Sequence, residues 1–326
     1  MELRKVQETG GTYLVSLPKD WADRVGIKRG SLIAIMERPD GSIIMDPQYK
    51  LEKEASTVTV APSSLLEREV TGNYLLGFDT IIINNRTRLQ SDVRATVREA
   101  LKRLIGLEIV EEDSGKIVLQ CLLEPSSFPP EKIMRREHVF TVSMLKDVMV
   151  AFVENDLSLA KTIIERDDEV DRLYFLLVRL LRTVVLNPVL AERLQTSLID
   201  CLDYRLVANY LEGIGDQTEE MAKAIMENKS LAIPNELFQR ICKLGDISTE
   251  LLDTSMRGIF SKDLELAVRV LMEAPKVKSL VSEIDKLLTK QSSEVISYIS
   301  SLAFSLNRVC DYSIDIADLV MPIRPS

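Results

Sequence analysis

The amino-acid sequence predicts a multidomain protein: a small β-rich domain, then an α/β domain, then an all-α region made of two three-helix bundles. Short β-branched and aromatic runs separated by glycines occupy residues 1–50. Strand and helix patterns alternate over residues 54–125, and helical apolar spacing without strand alternation runs through residues 131–326. A chain of 326 residues is long enough for two or three such domains.

Charge and hydropathy exclude two broad classes. The formal net charge is −9, so no global positive field holds nucleic acid, and any DNA binding needs a local basic patch. No run approaches the ~20 apolar residues of a membrane-spanning helix. Residues 1–5 lack the apolar core of a signal peptide. We therefore expect a cytoplasmic protein without membrane insertion.

The four cysteines are widely scattered and form no CxxC pair, so they are expected to be small buried apolar residues in a reducing compartment. They are Cys121, Cys201, Cys242 and Cys310. The single histidine, His138, excludes a histidine-rich metal site and argues against a His-dependent catalytic triad. Its place just before an apolar helix is interpreted as incidental.

The first fifty residues carry a regular series of strand, turn and helix signals. The predicted order is a strand at 4–7, a turn at Gly10-Gly11, a strand at 12–17, a helix at 19–25, and strands at 31–38 and 42–46 joined by a turn at 39–41. Pro18 stops the second strand and Gly26 ends the helix. The next residues, 51–54, are interpreted as a linker.

This order resembles the AbrB-type swapped-hairpin domain. The residues that carry the resemblance are Arg4-Lys5-Val6, the glycine turn, Leu17-Pro18, Trp21, Gly26-Ile27, Gly30 and the final hairpin. The variant over residues 9–21 looks like archaeal members of that family. The resemblance implies an intertwined homodimer, and about fifty residues alone bury too little apolar surface to form a stable core.

The resemblance also implies DNA binding through cations on one face of the dimer. The candidates are Arg4, Lys5, Lys19, Arg24, Lys28 and Arg29. Two departures weaken this: Thr12 stands after the glycine turn in place of a basic residue, and residues 1–30 hold six Lys or Arg against four Asp or Glu. Because phosphate contacts govern affinity, this patch is thin. The alternative is a dimerisation module that does not bind DNA.

The segment 54–125 has the predicted order β-α-β-α-β-β, which indicates a small α/β sandwich. The predicted elements are strands at 56–60, 78–84, 107–111 and 116–123 and helices at 62–75 and 88–105. It contains no glycine-rich phosphate loop, nucleophile elbow or metal-ligand spacing. A structural connector is therefore favoured over a ligand sensor. The Pro/Ser-rich stretch 125–130 is the clearest domain boundary.

The helical region repeats internally. The segment Asp156-Leu157-Ser158-Leu159-Ala160 recurs as Asp263-Leu264-Glu265-Leu266-Ala267, and the segment 211–216 is echoed at 306–311. Two copies of one helical unit are predicted, at 131–229 and 234–322. The predicted helices are 138–154, 156–186 and 189–228, then 234–259, 262–287 and 289–321.

Two acidic pairs stand out in the first copy. Asp167 and Asp171 are four residues apart, as are Glu212 and Asp216, so each pair lies on one helix face. Two such helices side by side bring four carboxylates together, which requires a cation or protons. This predicts a carboxylate metal site between helices, of the kind seen in di-iron bundles. The alternative is that the pairs are solvated helix faces.

These motifs resemble the PhoU family, whose two three-helix bundles each carry a DxxxD-type pair and an ExxxD pair. Gly213 stands where that family usually has Arg. The resemblance implies a multinuclear metal cluster on Asp167, Asp171, Glu212 and Asp216. Oxygen ligands discriminate weakly among hard cations, so divalent or ferric ions, with Fe, Zn, Mn and Mg as candidates, remain open.

The second copy departs from this pattern. Without a gap, Ala274 and Lys278 take the positions of the DxxxD pair; a two-turn insertion, which we prefer, places Val281 and Asp285 there. The ExxxD pair has become Asn307 and Asp311. The second metal site is therefore predicted to be lost or weakened. The weaker candidate ligands are Asp285, Asp311 and Asp315, together with Glu283. The insertion also predicts that Val281→Asp with Asn307→Glu restores metal binding.

The combined resemblances imply a regulator of phosphate uptake that senses phosphate status and acts on transcription, with promoter DNA as a partner. The alternative is an interaction module that dimerises and docks on a phosphate transporter ATPase or a signalling protein. A metal-dependent hydrolase is disfavoured because no general base beyond the ligands and no histidine accompanies the acidic pairs. The protein is therefore predicted not to be an enzyme.

Overall fold

The computed structural model describes residues 3–37, 41–47, 55–85, 87–228 and 231–321. The chain divides into two compact units, Met1–Ala55 and Ser56–Ser326. The α/β and helical regions, expected as separate domains, therefore pack together as one unit. The predicted linker at 51–54 and most of the predicted turn at 39–41 lie outside the described residues.

The N-terminal unit consists of two hairpins and one short helix. Strands β1 (Gln7–Thr9) and β2 (Thr12–Leu14) pair antiparallel, and β3 (Ala34–Glu37) pairs antiparallel with β4 (Ile43–Asp46); helix α1 is Lys19–Arg24. The first strand lies later than predicted because Gly10 and Gly11, both with positive φ, set a tight turn whose pairing starts at Thr9 and Thr12.

No residue described in the ranges 3–37 and 41–47 of this unit is fully buried. Several large apolar side chains are exposed instead. They are Leu3, Val6, Tyr13, Leu32, Ile35 and Ile43. The unit therefore lacks a closed core of its own in a single chain.

The α/β region has the predicted element order. Its elements are β5 (Thr57–Val60), α2 (Leu66–Leu75), β6 (Thr80–Asn84), α3 (Ser91–Lys102), β7 (Leu107–Glu112) and β8 (Lys116–Cys121). The sheet order is β5-β6-β8-β7, in which β5 and β6 are parallel and the other pairs antiparallel. Helices α2 and α3 bury Val70, Tyr74 and Val97 with Ile81 and Leu119 of the sheet.

The described part of the helical region contains seven helices. They are α4 (Pro130–Glu154), α5 (Leu157–Leu186), α6 (Pro188–Arg193), α7 (Leu198–Glu227), α8 (Asn235–Ser261), α9 (Leu264–Leu288) and α10 (Ser293–Asp318). Helices α4, α5 and α7 form the first bundle and α8, α9 and α10 the second, and the two share one hydrophobic core. The predicted pair of three-helix bundles is confirmed.

Three predicted helix limits were wrong. Helix α4 begins at Pro130, because proline is tolerated in the first turn, so His138 lies inside the helix. The predicted helix 189–228 is divided, since Ser197 and Asp200 form a capping box that starts α7 afresh. Helix α10 begins at Ser293 and not at 289, because the Ser292 side chain caps it, while α9 continues through Pro275.

The α/β region is held on α5 by a buried arginine. Arg179, with 4% of its surface exposed, donates hydrogen bonds to the carbonyl oxygens of Tyr74 and Phe78. Its guanidinium lies 4.8 Å from the centre of the Tyr74 ring. These contacts satisfy a buried charge and fix the α/β region along one face of α5.

Two smaller expectations concern cysteines and membranes. Cys201 and Cys310 are buried, whereas Cys121 and Cys242 are partly exposed, and all four are free thiols. Among the residues that the structure describes, no helix combines the length and apolar character needed to cross a membrane.

Candidate functional site

The structure brings the two acidic pairs of the first bundle together. Helix α5 packs directly on α7, with Asp167 and Asp171 on the first helix and Glu212 and Asp216 on the second. The helices approach closely at Gly215, where an added Cβ would lie 2.9 Å from Asp167 Oδ1. Glycine at this position leaves room for the carboxylate between the helices.

Burial and mutual repulsion weaken the acidity of this cluster. Burial, then Asp171 and Asp216, raise the pKa of Asp167 to about 7. Burial, then Asp216 and Asp171, likewise raise the pKa of Glu212 to about 7, although Arg103 and Arg205 oppose the shift. The pKa of Asp216 is also raised, mainly by burial. Carboxylates in such surroundings are stabilised by a proton or a metal ion.

A fifth carboxylate, Glu137 of α4, belongs to the same cluster and was missed by sequence reasoning. Its side chain is fully buried and neither carboxyl oxygen has a hydrogen-bond partner. Burial, reinforced by Glu212, raises its pKa well above the usual value, while Arg205 opposes the shift. The signal was present: Glu137 interrupts the buried stripe that contains Met134, Thr141 and Leu145.

Two arginines border the cluster. Arg103, just after α3 in the α/β region, forms an ion pair with Asp171. Arg205 of α7 donates a hydrogen bond of 2.9 Å to the hydroxyl of Tyr174. Neither arginine was assigned to this site from the sequence. Spacing does not show how the α/β region docks on α5, whereas Arg205 lies seven residues before Glu212 on the same helix and was overlooked.

Two observations bear on the predicted metal site, one in its favour and one against it. Oxygen-only donors suit hard cations. The buried carboxyl group of Glu137 lies near Glu212 and has no hydrogen-bond partner, which is consistent with a cation bound at this place. However, within the described ranges no three His, Cys, Asp or Glu side chains are grouped so that they could hold a metal ion. The chemistry of the donors therefore fits a cation, while binding requires side-chain rearrangement.

The weaker candidates in the second bundle are not brought together. Helices α9 and α10 are in contact and joined by a short loop, so they run antiparallel. Asp285 lies three residues before the end of α9, and Asp311 lies eighteen residues after the start of α10. At 1.5 Å per residue their levels differ by roughly 22 Å. One ion cannot bind both at these levels, which favours the gapless correspondence over the insertion.

Local contacts also leave the second bundle without an acidic cluster of the first kind. Asn307 donates a hydrogen bond of 3.2 Å to Asp311, and Arg308 lies 3.8 Å from the same carboxylate. Asp315 is exposed, and its pKa is raised by partial burial and by Asp311. Glu283 instead pairs with Arg240 at 3.2 Å.

The Arg expected at position 213 is absent for a steric reason. A Cβ at Gly213 would lie 3.0 Å from two ring carbons of Tyr312, on α10 of the second bundle. Tyr312 thus fills the space that a larger side chain would need. The guanidinium of Arg308 also lies over this ring, 4.5 Å from its centre.

The six predicted DNA-binding cations are all exposed in the N-terminal unit. Lys19 and Arg24 lie on α1, while Lys28 and Arg29 occupy the turn that follows it. Arg4 and Lys5 precede β1. They are available to solvent, and the unburied apolar residues of the same unit leave a surface for a second chain.

Comparisons with known proteins concern both the helical region and the N-terminal unit. The family model described as the PhoU domain matches residues 134–225 and 241–320, which is more than half of the chain. The chain belongs to the PhoU family. A second family model, "Antidote-toxin recognition MazE, bacterial antitoxin", matches residues 6–52 and confirms the MazE/AbrB-type N-terminal domain. A search of curated proteins gave no match.

Solved PhoU structures share the helical fold. PhoU from Pseudomonas aeruginosa is 16% identical with a TM-score of 0.54, covering 59% of this chain and 93% of that one. The phosphate transport system regulatory protein PhoU from Streptococcus pneumoniae is 16% identical with a TM-score of 0.51, covering 59% and 91%. At this identity the likeness shows the fold alone. The α/β region, which lies between the two family matches, supplies the arginine on Asp171.

Proposed function

We propose that this PhoU-family protein is a cytoplasmic regulator of phosphate uptake that binds metal in its first bundle and acts on transcription through its N-terminal unit. The observation that carries the metal assignment is the buried carboxylate cluster between α5 and α7, where Arg103 and Arg205 offset only part of the charge of the acidic side chains. It lies within a segment matched by the PhoU family model. A structural neighbour described as a phosphate transport system regulatory protein supports the direction of the proposal.

Asp167, Asp171, Glu212 and Asp216 would hold the ion or ions, with Glu137 beside them on α4. A bound cation supplies the positive charge that lets these carboxylates ionise inside the bundle. The protein's residues orient the donors, exclude water on the α4 side and join three helices at one point. Binding would therefore tighten the first bundle, because the ion stabilises the folded arrangement that contains all the donors.

The DNA-binding half of the proposal rests on the N-terminal unit. Its six exposed cations are doubled in a homodimer, and its exposed apolar residues give that dimer a core. A metal-dependent change in the helical half would alter DNA affinity only if the ion binds the two states of the dimer differently.

Metal content tests the first half. The purified full chain is dialysed with Mn²⁺, Fe²⁺ or Zn²⁺ and examined by elemental analysis beside Glu212→Ala/Asp216→Ala. The matched control is Asp246→Ala/Glu250→Ala, a pair with the same spacing on α8 outside the cluster. Wild type and control should retain metal and the cluster variant should lose it. Metal-free wild type after all three exposures would contradict the site.

DNA binding tests the second half. Affinity for the promoter of the protein's own phosphate-transport operon is measured between 50 and 200 mM salt. Lys28→Ala/Arg29→Ala should lower the logarithmic salt slope by about 0.9 for each phosphate contact removed. Lys161→Ala/Lys290→Ala, an exposed pair in the helical region, should leave it unchanged. Binding without salt dependence, or no binding, would remove the transcriptional role.

A second candidate function is docking on a phosphate transporter ATPase or a signalling partner without DNA contact. The net charge of −9 favours it. So does a groove of about 580 Å³ between α4 and α8, where Met149, Val150 and Val153 are bordered by Asp246 and Glu250. Failure of the DNA test with retention of metal would make this function the leading one.

A further inference from the structure

Arg103 reaches from the α/β region into the carboxylate cluster of the first bundle. It forms an ion pair with Asp171, whose side chain is 14% exposed, and its guanidinium lies 5.0 Å from the centre of the Phe175 ring. Its Nε is buried and has no hydrogen-bond partner. The ion pair therefore leaves one buried donor unsatisfied, which makes this contact weaker than a fully bonded one.

The α/β region docks along one line of α5. Asp171, Phe175 and Arg179 are successive four-residue steps, so they share one helix face. Arg103 contacts the first two, and Arg179 binds the carbonyl oxygens of Tyr74 and Phe78. Asp171 is thus at once a member of the acidic cluster and a docking residue for the neighbouring region.

We propose that Arg103 is a built-in counter-cation that competes with a metal ion for Asp171, so that metal binding loosens the α/β region on α5. The inference rests on the metal site of the proposed function.

The competition follows from charge. A guanidinium and a divalent cation on one half-buried carboxylate repel each other in a medium where charges are poorly screened. An ion that binds through Oδ2 of Asp171, the oxygen that Arg103 contacts, therefore competes with Arg103 for it. The two effects are reciprocal. The factor by which docking of Arg103 on Asp171 lowers the metal affinity equals the factor by which the bound metal lowers the docking equilibrium.

Other carboxylates lie near Arg103 and could pair with it after it leaves Asp171. A cleft of about 470 Å³ between α3 and α5 is lined by Arg103 itself and by Glu165, Asp168 and Glu169. Lys102 and Arg172 line the same cleft, and Glu169 is already paired with Arg172 at 2.6 Å, so Glu165 and Asp168 are the other carboxylates beside Arg103. With 43% of its side chain exposed, Arg103 can exchange Asp171 for them without crossing a packed core.

The first test is calorimetric titration of MnCl₂ into the metal-free full chain and its variants. Arg103→Gln should bind Mn²⁺ about 5- to 150-fold more tightly than wild type, the usual range for such coupling. Arg103→Lys keeps the charge and should stay close to wild type. Arg98→Gln is the matched control, because Arg98 lies on the same helix and pairs with Glu112 at 3.3 Å instead.

The second test needs no variant. Hydrogen exchange over residues 99–106 of the wild-type chain should speed up on addition of Mn²⁺, while exchange in β7 and β8 should not. This measurement decides the matter if Arg103→Gln fails to fold.

The outcomes separate the two ideas. Equal or weaker Mn²⁺ affinity in folded Arg103→Gln, with wild type still binding, overturns the competition and leaves the metal site standing. Absence of Mn²⁺ binding in every chain, Arg103→Gln included, overturns both. Unchanged exchange over residues 99–106 in Mn²⁺-loaded wild type also overturns the coupling.

Discussion

Gly215 of α7 faces the carboxylate of Asp167 on α5 so closely that a Cβ would lie 2.9 Å from Oδ1 and 3.2 Å from Cγ1 of Val170. In a helix interior glycine costs about 0.5–1 kcal/mol relative to alanine, so its presence in α7 has to be explained by this contact. The absent side chain makes the space in which the two acidic pairs meet.

Gly215→Ala is expected to separate metal binding from stability. The methyl group displaces Asp167, so metal affinity should fall about 10- to 100-fold, as when a ligand loses its support. The free energy of unfolding should change by less than about 1 kcal/mol, because the gain in helix propensity offsets the contact. Gly72→Ala in α2, with no atom within 4 Å of the added Cβ, is the control and should only stabilise. Unchanged metal affinity in Gly215→Ala would refute this role.

The metal-free protein is expected to lose stability as pH rises. Folding raises the pKa values of Asp167 and Glu212 to about 7 from 3.8 and 4.5, so between those limits the folded state holds more protons than the unfolded state. The free energy of unfolding therefore falls between about pH 4 and pH 7 and stays low above that range. Thermal unfolding in a chelator should give a lower Tm at pH 8 than at pH 5.5. A saturating metal ion should reduce the difference, and a Tm that rises over this window contradicts the prediction.

The variant Glu137→Gln tests whether this carboxyl group contributes to the pH dependence of stability. The amide keeps the shape of the side chain and removes a buried acidic group whose pKa is raised by burial, so the metal-free chain should lose less stability than wild type between pH 5.5 and pH 8. Its pH dependence should be smaller and its metal affinity lower than in wild type. Glu131→Gln, on the same helix but exposed and paired with Arg135, should change neither. Destabilisation by Glu137→Gln at pH 8 would show that the carboxylate has a structural partner.

Dimerisation through the N-terminal unit can be tested by introducing one charged residue on its apolar surface. Ile35 is 64% exposed in a unit without buried residues in its described part, and it pairs with Met45 across the β3–β4 hairpin. Ile35→Asp should convert a dimer to a monomer in sedimentation equilibrium, because a carboxylate in the shared core lacks a partner. Leu65→Asp, at a similarly exposed site (59%) in the other unit, should leave the dimer intact. A wild-type monomer at micromolar concentration would contradict the swapped-hairpin assignment.

Sequence patterns predicted most of this architecture because the signals were local. The glycine turn at Gly10, the repeated Asp caps at Asp156 and Asp263 and the acidic pairs all depend on residues within one or two turns. The contacts of Arg103 with Asp171 and of Gly213 with Tyr312 join residues far apart in the chain. Such contacts depend on how whole regions dock, which residue spacing does not encode. Glu137 is the exception, since its place on an apolar stripe could have revealed it.

The second bundle offers a constructive test of the site. On the gapless correspondence Ala274 and Lys278 of α9 take the places of Asp167 and Asp171, and Asn307 takes the place of Glu212. Ala274 lies fourteen residues before the end of α9, and Asn307 lies fourteen after the start of α10, so the two stand at one level. Ala274→Asp/Lys278→Asp/Asn307→Glu, with the native Asp311, should therefore raise metal content above that of wild type.

The control follows the insertion, which the helix levels disfavour. Val281 is seven residues before the end of α9, which places it roughly 10 Å along the axis from the level of Asn307. Val281→Asp/Asn307→Glu should accordingly add no metal, although it introduces the same residue types. A higher metal content in this control, without a higher metal content in the rebuilt site, would support the insertion in the alignment. Gain in the rebuilt site alone would establish that four converging carboxylates between two helices are sufficient to bind the ion.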